Sequence, residues 1–378
     1  MKRRRNSPLV DALFRLGRTA TRAAGKSARH TSRLATDTLA AHAGAAAKST
    51  REALAAVASP APPPKAPEGG GRWLEGRWGL GPLAMRRYRL YLPPGAGRRR
   101  PAPLLLFLHG CQQDSASFAA CTRITRFARD TGLAVLMPEQ AQEANPQRCW
   151  NWFGHEPVVA LEAQLIMSIV DHVSHTEPVR ADALFAMGLS AGGAMAMSLA
   201  LRHPTRFLAV ASHSGAVATS ARTLRQAGQA LRGRREPDVE AIHRQLGAHP
   251  APPLLLIQGD RDPVVAPGNA ESAAALWLAL SEDTDAVRAL PPRERTRGAR
   301  YPLTRLDWEK NGEPYLQLIS IHGLGHAWSG GAPGRTYADP AGPDALRLAW
   351  AWFAPRLRQV SSAQAQPAQK PTDPPSTA

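Results

Sequence analysis

The stretch Gly188-Leu189-Ser190-Ala191-Gly192 places a serine between two glycines, each two positions away. An apolar run, Leu184 to Leu189, leads into it, and a small-residue run with helical character, Ala191 to His203, leads out. A serine on a sharp strand-to-helix turn must accept a strained backbone, and the flanking glycines let the chain and its neighbours approach closely. The side chain then stands exposed at the carboxyl end of a sheet. A helix beginning at Ala191 adds its N-terminal dipole and free N–H groups beside the reacting centre. For an isolated five-residue match a glycine-rich turn without chemistry is the favoured alternative; the strand before and the helix after argue against it here.

Serine is a poor nucleophile at its own pKa, so Ser190 needs a histidine base, and that histidine needs an acid to fix its tautomer. The segment "LLLIQGDRDPVVAP" offers Asp260 and Asp262 after an apolar run. Asp262, past a turn and before Pro263-Val264-Val265, is the favoured acid, and Asp260 reads as a turn residue bonded to local backbone. Of the 12 histidines, His203 reads as a helix-end residue, where a cation suits the dipole. His172 and His175 fall on a long helical stretch. His326, in "ISIHGLGHAWSGG", lies in a glycine-rich loop just after the apolar run Tyr315 to Ile321, which would bring an imidazole over the sheet's carboxyl edge. It is the preferred base, with His322 the runner-up.

Acyl transfer further requires donors aimed at the developing oxyanion. The Ala191 N–H, next to the nucleophile, is one. The other is expected from the loop after "PLLLFLH", where Gly110 permits a turn and Cys111 offers its N–H. A plain strand exit is the alternative reading of His109-Gly110.

These groups need a scaffold, and the chain alternates short apolar runs with helical stretches. Strands are expected at Arg86 to Leu92, Pro103 to His109, Ala134 to Pro138, Leu184 to Leu189, Leu208 to Ser214, Leu254 to Gln258 and Tyr315 to Ile321. Helices are expected at Ser115 to Thr131, Val158 to Thr176, Ala191 to His203, about Asn269 to Leu280, and Asp344 to Phe353. That alternation implies an α/β fold with a mostly parallel central sheet covered by helices on both faces. Ala216 to Pro250 and Glu282 to Arg300 break the rhythm and are candidates for lid insertions.

The 378 residues, 43% hydrophobic, suffice for one large core. Residues 1–58 form a basic, alanine-rich arm with an amphipathic stretch from Leu9 to Thr21, residues 59–72 a Pro/Gly linker, 73–360 the catalytic domain, and 361–378 a compositionally disordered tail. The formal charge of +17 comes from arginines scattered along the whole chain. No aromatic-interleaved basic stretch and no zinc-finger spacing supports sequence-specific nucleic-acid reading; non-specific adhesion to a polyanion stays open. Three cysteines, Cys111, Cys121 and Cys149, are too few for a disulfide framework and lack zinc-site spacing. No apolar run approaches the roughly 20 residues of a membrane span. Charged residues interrupt the N-terminus too often for a cleavable secretion signal, so the sequence alone reads as cytoplasmic or granule-associated.

Taken in order, "LLLFLHGCQQD", "LAVLMPEQ" with "NPQRCWNWF", "GLSAGGAMA", "QGDRDPVV" and "HGLGHAWSGG" resemble the α/β-hydrolase esterases of the poly(3-hydroxybutyrate) depolymerase type, over about Arg86 to Phe353. The resemblance implies the triad Ser190, Asp262 and His326. It implies a carboxylic-ester substrate, commonly a short-chain hydroxyalkanoate polyester or oligomer, with feruloyl or acetyl esters of plant polysaccharides as the alternative, and no cofactor or metal. It places Trp150, Asn151, Trp152 and Phe153 near the site with Trp328 after the base, as candidate linings of the acyl or alcohol subsites or else as core. It allows a Cys111–Cys149 disulfide in an oxidising compartment. Many members of the family are exported, which points to an extracellular location. The N-terminal arm departs from the family pattern and is a candidate for adhesion to a polymer granule or anionic membrane. A non-catalytic granule- or polyanion-binding protein on a hydrolase scaffold is the reading from a different class.

Overall fold

The computed structural model describes residues 70–81, 84–281 and 286–365. The basic arm and most of its linker lie outside the described residues, as does the tail from residue 366.

Continuous apolar runs form the middle of one sheet, because strands covered on both faces have no polar side to show. In spatial order the central strands are β4 (Ala134–Pro138), β3 (Ala102–Leu108), β5 (Val179–Leu189), β6 (Ala209–His213), β7 (Leu254–Gly259) and β11 (Glu313–Ile321), each parallel to the next. On one side the sheet continues antiparallel through β2 (Met85–Leu92) and β1 (Arg72–Gly79). On the other it continues through β10 (Leu303–Lys310), which pairs with β8 (Val287–Ala289) and β9 (Arg293–Arg295). A separate two-stranded ladder joins β12 (Trp328–Ser329) to β13 (Ala338–Asp339). This is the mostly parallel α/β sheet that the alternation implies, in the α/β-hydrolase arrangement that the resemblance implies.

Helices fill both faces. They are α1 (Ser115–Thr122), α2 (Ile124–Thr131), α3 (Glu156–Thr176), α4 (Ala191–Arg202), α5 (Leu224–Leu231), α6 (Val239–Leu246), α7 (Gly268–Ala279) and α8 (Ala345–Ala365). One apolar core joins Phe107 of β3, Phe118 of α1, Phe185 of β5, Ile257 of β7 and Phe353 of α8. Phe107 stacks on Phe118 with ring centroids 4.4 Å apart, and Phe185 stacks on Phe353 at 4.7 Å.

Several expectations need correction. The single helix over Ser115 to Thr131 is two, because Arg123 takes a left-handed conformation with φ 61°. Its guanidinium donates to the Gly330 carbonyl, so the break joins the helix pair to the loop beyond β12. The linker ends sooner than expected, since Arg72 already belongs to β1. The last helix passes Pro355 and reaches Ala365, five residues into the expected tail. Arg356 holds that region by donating to the Trp352 and Pro314 carbonyls. The described part of Glu282 to Arg300 supplies the short edge strands β8 and β9, and these, like β1 and β10, lack the long apolar run that marks a central strand. By length and composition α3 could cross a membrane, contrary to the sequence expectation, but half of its apolar window is buried inside the domain. It also carries Glu162 in a buried network with Gln140, Asn151 and Arg86, the mark of a core helix.

At the junction of β5 with α4, backbone packs closely on backbone. A Cβ on Gly192 would stand 2.2 Å from the Leu108 carbonyl oxygen, and one on Gly188 would stand 2.3 Å from the Gly192 carbonyl carbon. Both obstacles are backbone and cannot swing aside. Gly192→Ala is therefore expected to cost several kcal/mol. At Gly97, where nothing lies within 4 Å, the same change should alter stability by no more than about 1 kcal/mol. Urea unfolding of the two variants checks this, and equal midpoints would contradict the packing argument.

Candidate active site

Ser190 sits between β5 and α4 with φ 56° and ψ −119°, a backbone that costs an L-residue free energy. Two contacts hold it there. Its N–H donates to the His213 carbonyl at the end of β6 (2.8 Å), and its carbonyl accepts from the Ala194 N–H (3.0 Å) inside α4. The hydroxyl consequently emerges at the carboxyl edge of the parallel strands.

His326, in the loop after β11, meets that hydroxyl: Nε2 lies 3.0 Å from Ser190 Oγ, and Nδ1 lies 2.7 Å from Asp262 Oδ2. With the proton on Nδ1, the imidazole donates to Asp262 and accepts from Ser190, the tautomer a general base requires. The Asp262 side chain is fully buried, and its Oδ1 accepts from the N–H groups of Val264 (2.9 Å) and Val265 (2.8 Å). Burial alone would raise the Asp262 pKa. The hydrogen bond and charge of His326, with the two N–H donors, outweigh it and hold the carboxyl below its ordinary value.

The runner-up residues pair with each other. Asp260 Oδ2 lies 3.1 Å from His322 Nδ1, and Thr304 Oγ1 occupies the far side of that ring at 2.8 Å. Asp260 also accepts the Gly323 N–H, while the Asp260 and Arg261 N–H groups donate to the Ile321 and Leu324 carbonyls. Thus the loop carrying Asp262 is stitched to the loop carrying His326, and a turn role for Asp260 is only part of what it does.

Beside Ser190 lies the turn after β3, where a Cβ on Gly110 would stand 3.6 Å from Ser190 Cβ. The Gly110 N–H is taken by Gln113 Oε1 at 2.9 Å. Among the described residues, the N–H groups of Cys111 and Ala191 have no acceptor, so both remain available to an oxyanion. Cys111 is disulfide-bonded to Cys149, which ties this turn to the loop after β4. His109 beneath it is fully buried, and burial pushes its pKa down; neutral, it donates from Nδ1 to the Gly110 carbonyl and accepts the Gln140 N–H at Nε2. Serine, imidazole, buried carboxylate and two free N–H groups together can carry acyl transfer through a covalent intermediate.

Comparison with known proteins bears on the class of reaction. The family described as esterase PHB depolymerase matches residues 86–298. The chain belongs to that family. It is a carboxylic ester hydrolase. A Nocardia uniformis subsp. tsuyamanensis protein named as an esterase, NocK, is 28% identical over 255 residues, covering 65% of this chain and 71% of that protein. Poly(3-hydroxyalkanoate) depolymerase C of Paucimonas lemoignei is 24% identical over 243 residues, covering 61% of this chain and 56% of its own length. Among solved structures, acetyl xylan esterase from Aspergillus awamori superposes with a TM-score of 0.53 at 16% identity, over 71% of this chain and 94% of that one. It shares the fold.

Of the aromatic residues near the motifs, the three tryptophans are buried and Phe153 is half-buried. Trp150 and Trp328 are fully buried, and Trp152 is 4% exposed. Trp150 Nε1 donates to the His109 carbonyl at 3.0 Å, below the turn after β3. Trp328 packs edge-on against Phe107 and Phe118. Half-buried Asn151 spends its amide on Glu162 (2.9 Å). Of the two readings for these residues, subsite lining or core, the burial of the tryptophans favours core. His203 also departs from expectation: burial, then Arg206 and Arg202, lower its pKa and disfavour a helix-end cation. On α3, His172 stacks on Trp78 of β1 at 3.9 Å, and His175 Nδ1 bonds to the Asp171 carbonyl.

Sequence reasoning overlooked His213. It is fully buried at the end of β6 and stacked on Trp328, and its Nε2 accepts the Ser329 N–H at 3.1 Å. Burial, reinforced by His326 nearby, pushes its pKa down to about 3. Its position at a strand end two residues before Gly215 was the available signal. An acceptor at Nε2 requires the neutral ring, and the unfolded chain, with an ordinary histidine near 6.5, binds the proton more readily than the fold does. Stability contributed by neutral His213 is therefore complete above about 6.5 and is lost as pH falls toward about 3. His213→Gln keeps an acceptor for Ser329 while removing the titration. Its urea midpoint should fall less than that of wild type between neutral pH and pH about 4.5; an unchanged acid slope would contradict the assignment.

Proposed function

We propose that the protein is a serine esterase acting through an acyl-enzyme on short-chain polyhydroxyalkanoate esters. The observation carrying the mechanism is the continuous relay Ser190 Oγ, His326 Nε2 and Nδ1, Asp262 Oδ2, at 3.0 and 2.7 Å. His326 removes the Ser190 proton as the oxygen attacks the ester carbonyl, and the Cys111 and Ala191 N–H groups hold the resulting oxyanion. The imidazolium, balanced by Asp262, then protonates the leaving alcohol. Water, deprotonated by the same histidine, releases the carboxylic acid and restores Ser190. The organic chemistry is complete with these side chains and water.

The hydroxyalkanoate reading is supported by the family match and by the similarity to a poly(3-hydroxyalkanoate) depolymerase. An acyl group of short, flexible hydroxyalkanoate units is also consistent with a site whose large aromatics are spent in the core. Ser190→Ala should leave the urea midpoint near that of wild type and lower kcat on p-nitrophenyl butyrate by at least about 10³-fold, the scale on which loss of such a nucleophile is felt. Near-normal turnover would sink the serine mechanism and favour a binding protein on this scaffold. Substrate class is tested separately, by kcat/KM on hydroxybutyrate oligomers, methyl ferulate and acetylated xylan. The oligomers are expected to lead, and a clear preference for either plant ester would overturn the hydroxyalkanoate assignment while leaving the relay intact.

A further inference from the structure

A cleft of about 720 Å³ opens between α2, the turn from β9 to β10, and the first turns of α8. It lies apart from the residues of the esterase relay, none of which lines it. Six arginines face it: Arg123 and Arg126 from the α2 side, Arg295, Arg297 and Arg300 from β9 and the following turn, and Arg347 from α8. Among the described residues, Asp130 and Asp344 are the only acidic residues in its wall.

The internal pairings leave most of this charge unspent. Asp344 is shared between Arg123 at 4.0 Å and Arg347 at 3.8 Å, and Asp130 is 3.9 Å from Arg126 while it also bonds Arg129 at 3.0 Å. The guanidinium groups of Arg126 and Arg347 are largely exposed. Arg300 holds the turn by donating to the Pro340 and Gly342 carbonyls. Among the described residues Arg295 and Arg297 have no carboxylate partner, and both are exposed. The floor is of another kind, with Phe127, Tyr301, Leu303 and Leu346 presenting aromatic and aliphatic surface.

We propose that this cleft is a binding site for an organic phosphate, with the phosphate held by Arg295 and Arg297 and the organic part laid on Phe127 and Tyr301. Guanidinium forks match phosphate oxygens in pairs, and arginine is the side chain that makes such contacts with least loss of order. The volume is that of a small-molecule site. The concave form selects a single ligand in preference to a flat anionic surface, and the apolar floor selects an ester of phosphate over the bare ion.

The full chain serves for the test. Calorimetric titration at low salt with phenyl phosphate, methyl phosphate and inorganic pyrophosphate should show one saturable site per chain, with phenyl phosphate tighter than methyl phosphate. The pair Arg295→Gln, Arg297→Gln should raise the Kd for phenyl phosphate about tenfold or more, the scale of a lost charge-assisted contact, and leave p-nitrophenyl butyrate hydrolysis unchanged. Arg98→Gln with Arg99→Gln removes equal charge from exposed residues outside the cleft and should leave the Kd within about twofold, since surface charges farther apart than a Debye length are screened. Equal weakening by the two double variants would overturn the proposal in favour of diffuse charge. So would equal binding of the phenyl and methyl esters, or co-sedimentation with phosphatidic-acid vesicles in the absence of saturable phenyl phosphate binding.

Discussion

Position 192 runs against the carbonyl oxygens of Leu108 and His109 at the end of β3, 2.2 and 2.6 Å from where a Cβ would be, and only glycine fits. Because α4 can lie that close, its first turn begins directly above the strand ends, and Ser190 is forced into its left-handed backbone to connect them. Such a residue costs of order 1–3 kcal/mol. Against that cost stand Met195, Met197, Leu199 and Leu201 of the same helix, all nearly or fully buried, each contributing about 1.5–3 kcal/mol on burial. The strain is local and the packing distributed, so the packing wins and the hydroxyl is held out of the core.

The same economy of backbone governs the other side of the site. β7 and β11 are parallel neighbours with Gln258 beside Ser320 and Gly259 beside Ile321, so the loops that leave them start side by side. Asp260, His322 and two backbone bonds fasten those loops, and the Asp262–His326 pair spans the next few residues. A Cβ on Gly259 would meet the Leu324 carbonyl at 2.2 Å, which keeps the fastening short. Below it, neutral His213 accepts from Ser329, three residues past His326. A charged ring there would have no acceptor to offer to the Ser329 N–H.

Much of this was legible in the sequence, for identifiable reasons. Central strands announce themselves by apolar runs, and the strand, turn and helix around Ser190 by glycines at fixed offsets. Asp262 and His326 follow from chain order and strand ends, and the geometry unites them with Ser190. The edge strands β1, β8, β9 and β10 were not legible, since their polar residues face solvent on one side and only their pairing partners define them. The break at Arg123 was hidden as well: a left-handed arginine has no composition signal, and its reason is a carbonyl more than two hundred positions away. His213 was passed over because its burial and its partner Ser329 come from tertiary contact.

The tryptophans show why proximity in a motif does not make a residue a ligand contact. "CWNWF" follows the turn after β4, and Cys149 is bonded through sulfur to Cys111 of the turn after β3. That link draws the whole segment under the turn, where an indole has two requirements, apolar neighbours and an acceptor for its N–H. Trp150 finds the acceptor in the His109 carbonyl, and His109, neutral by burial, passes the constraint to the Gly110 carbonyl and the Gln140 N–H. Gln113 meanwhile consumes the Gly110 N–H, leaving the next one, on Cys111, without a partner. One unsatisfied donor therefore results from several satisfied ones around it, and the buried indole of Trp150 takes part in fixing which backbone N–H is left over.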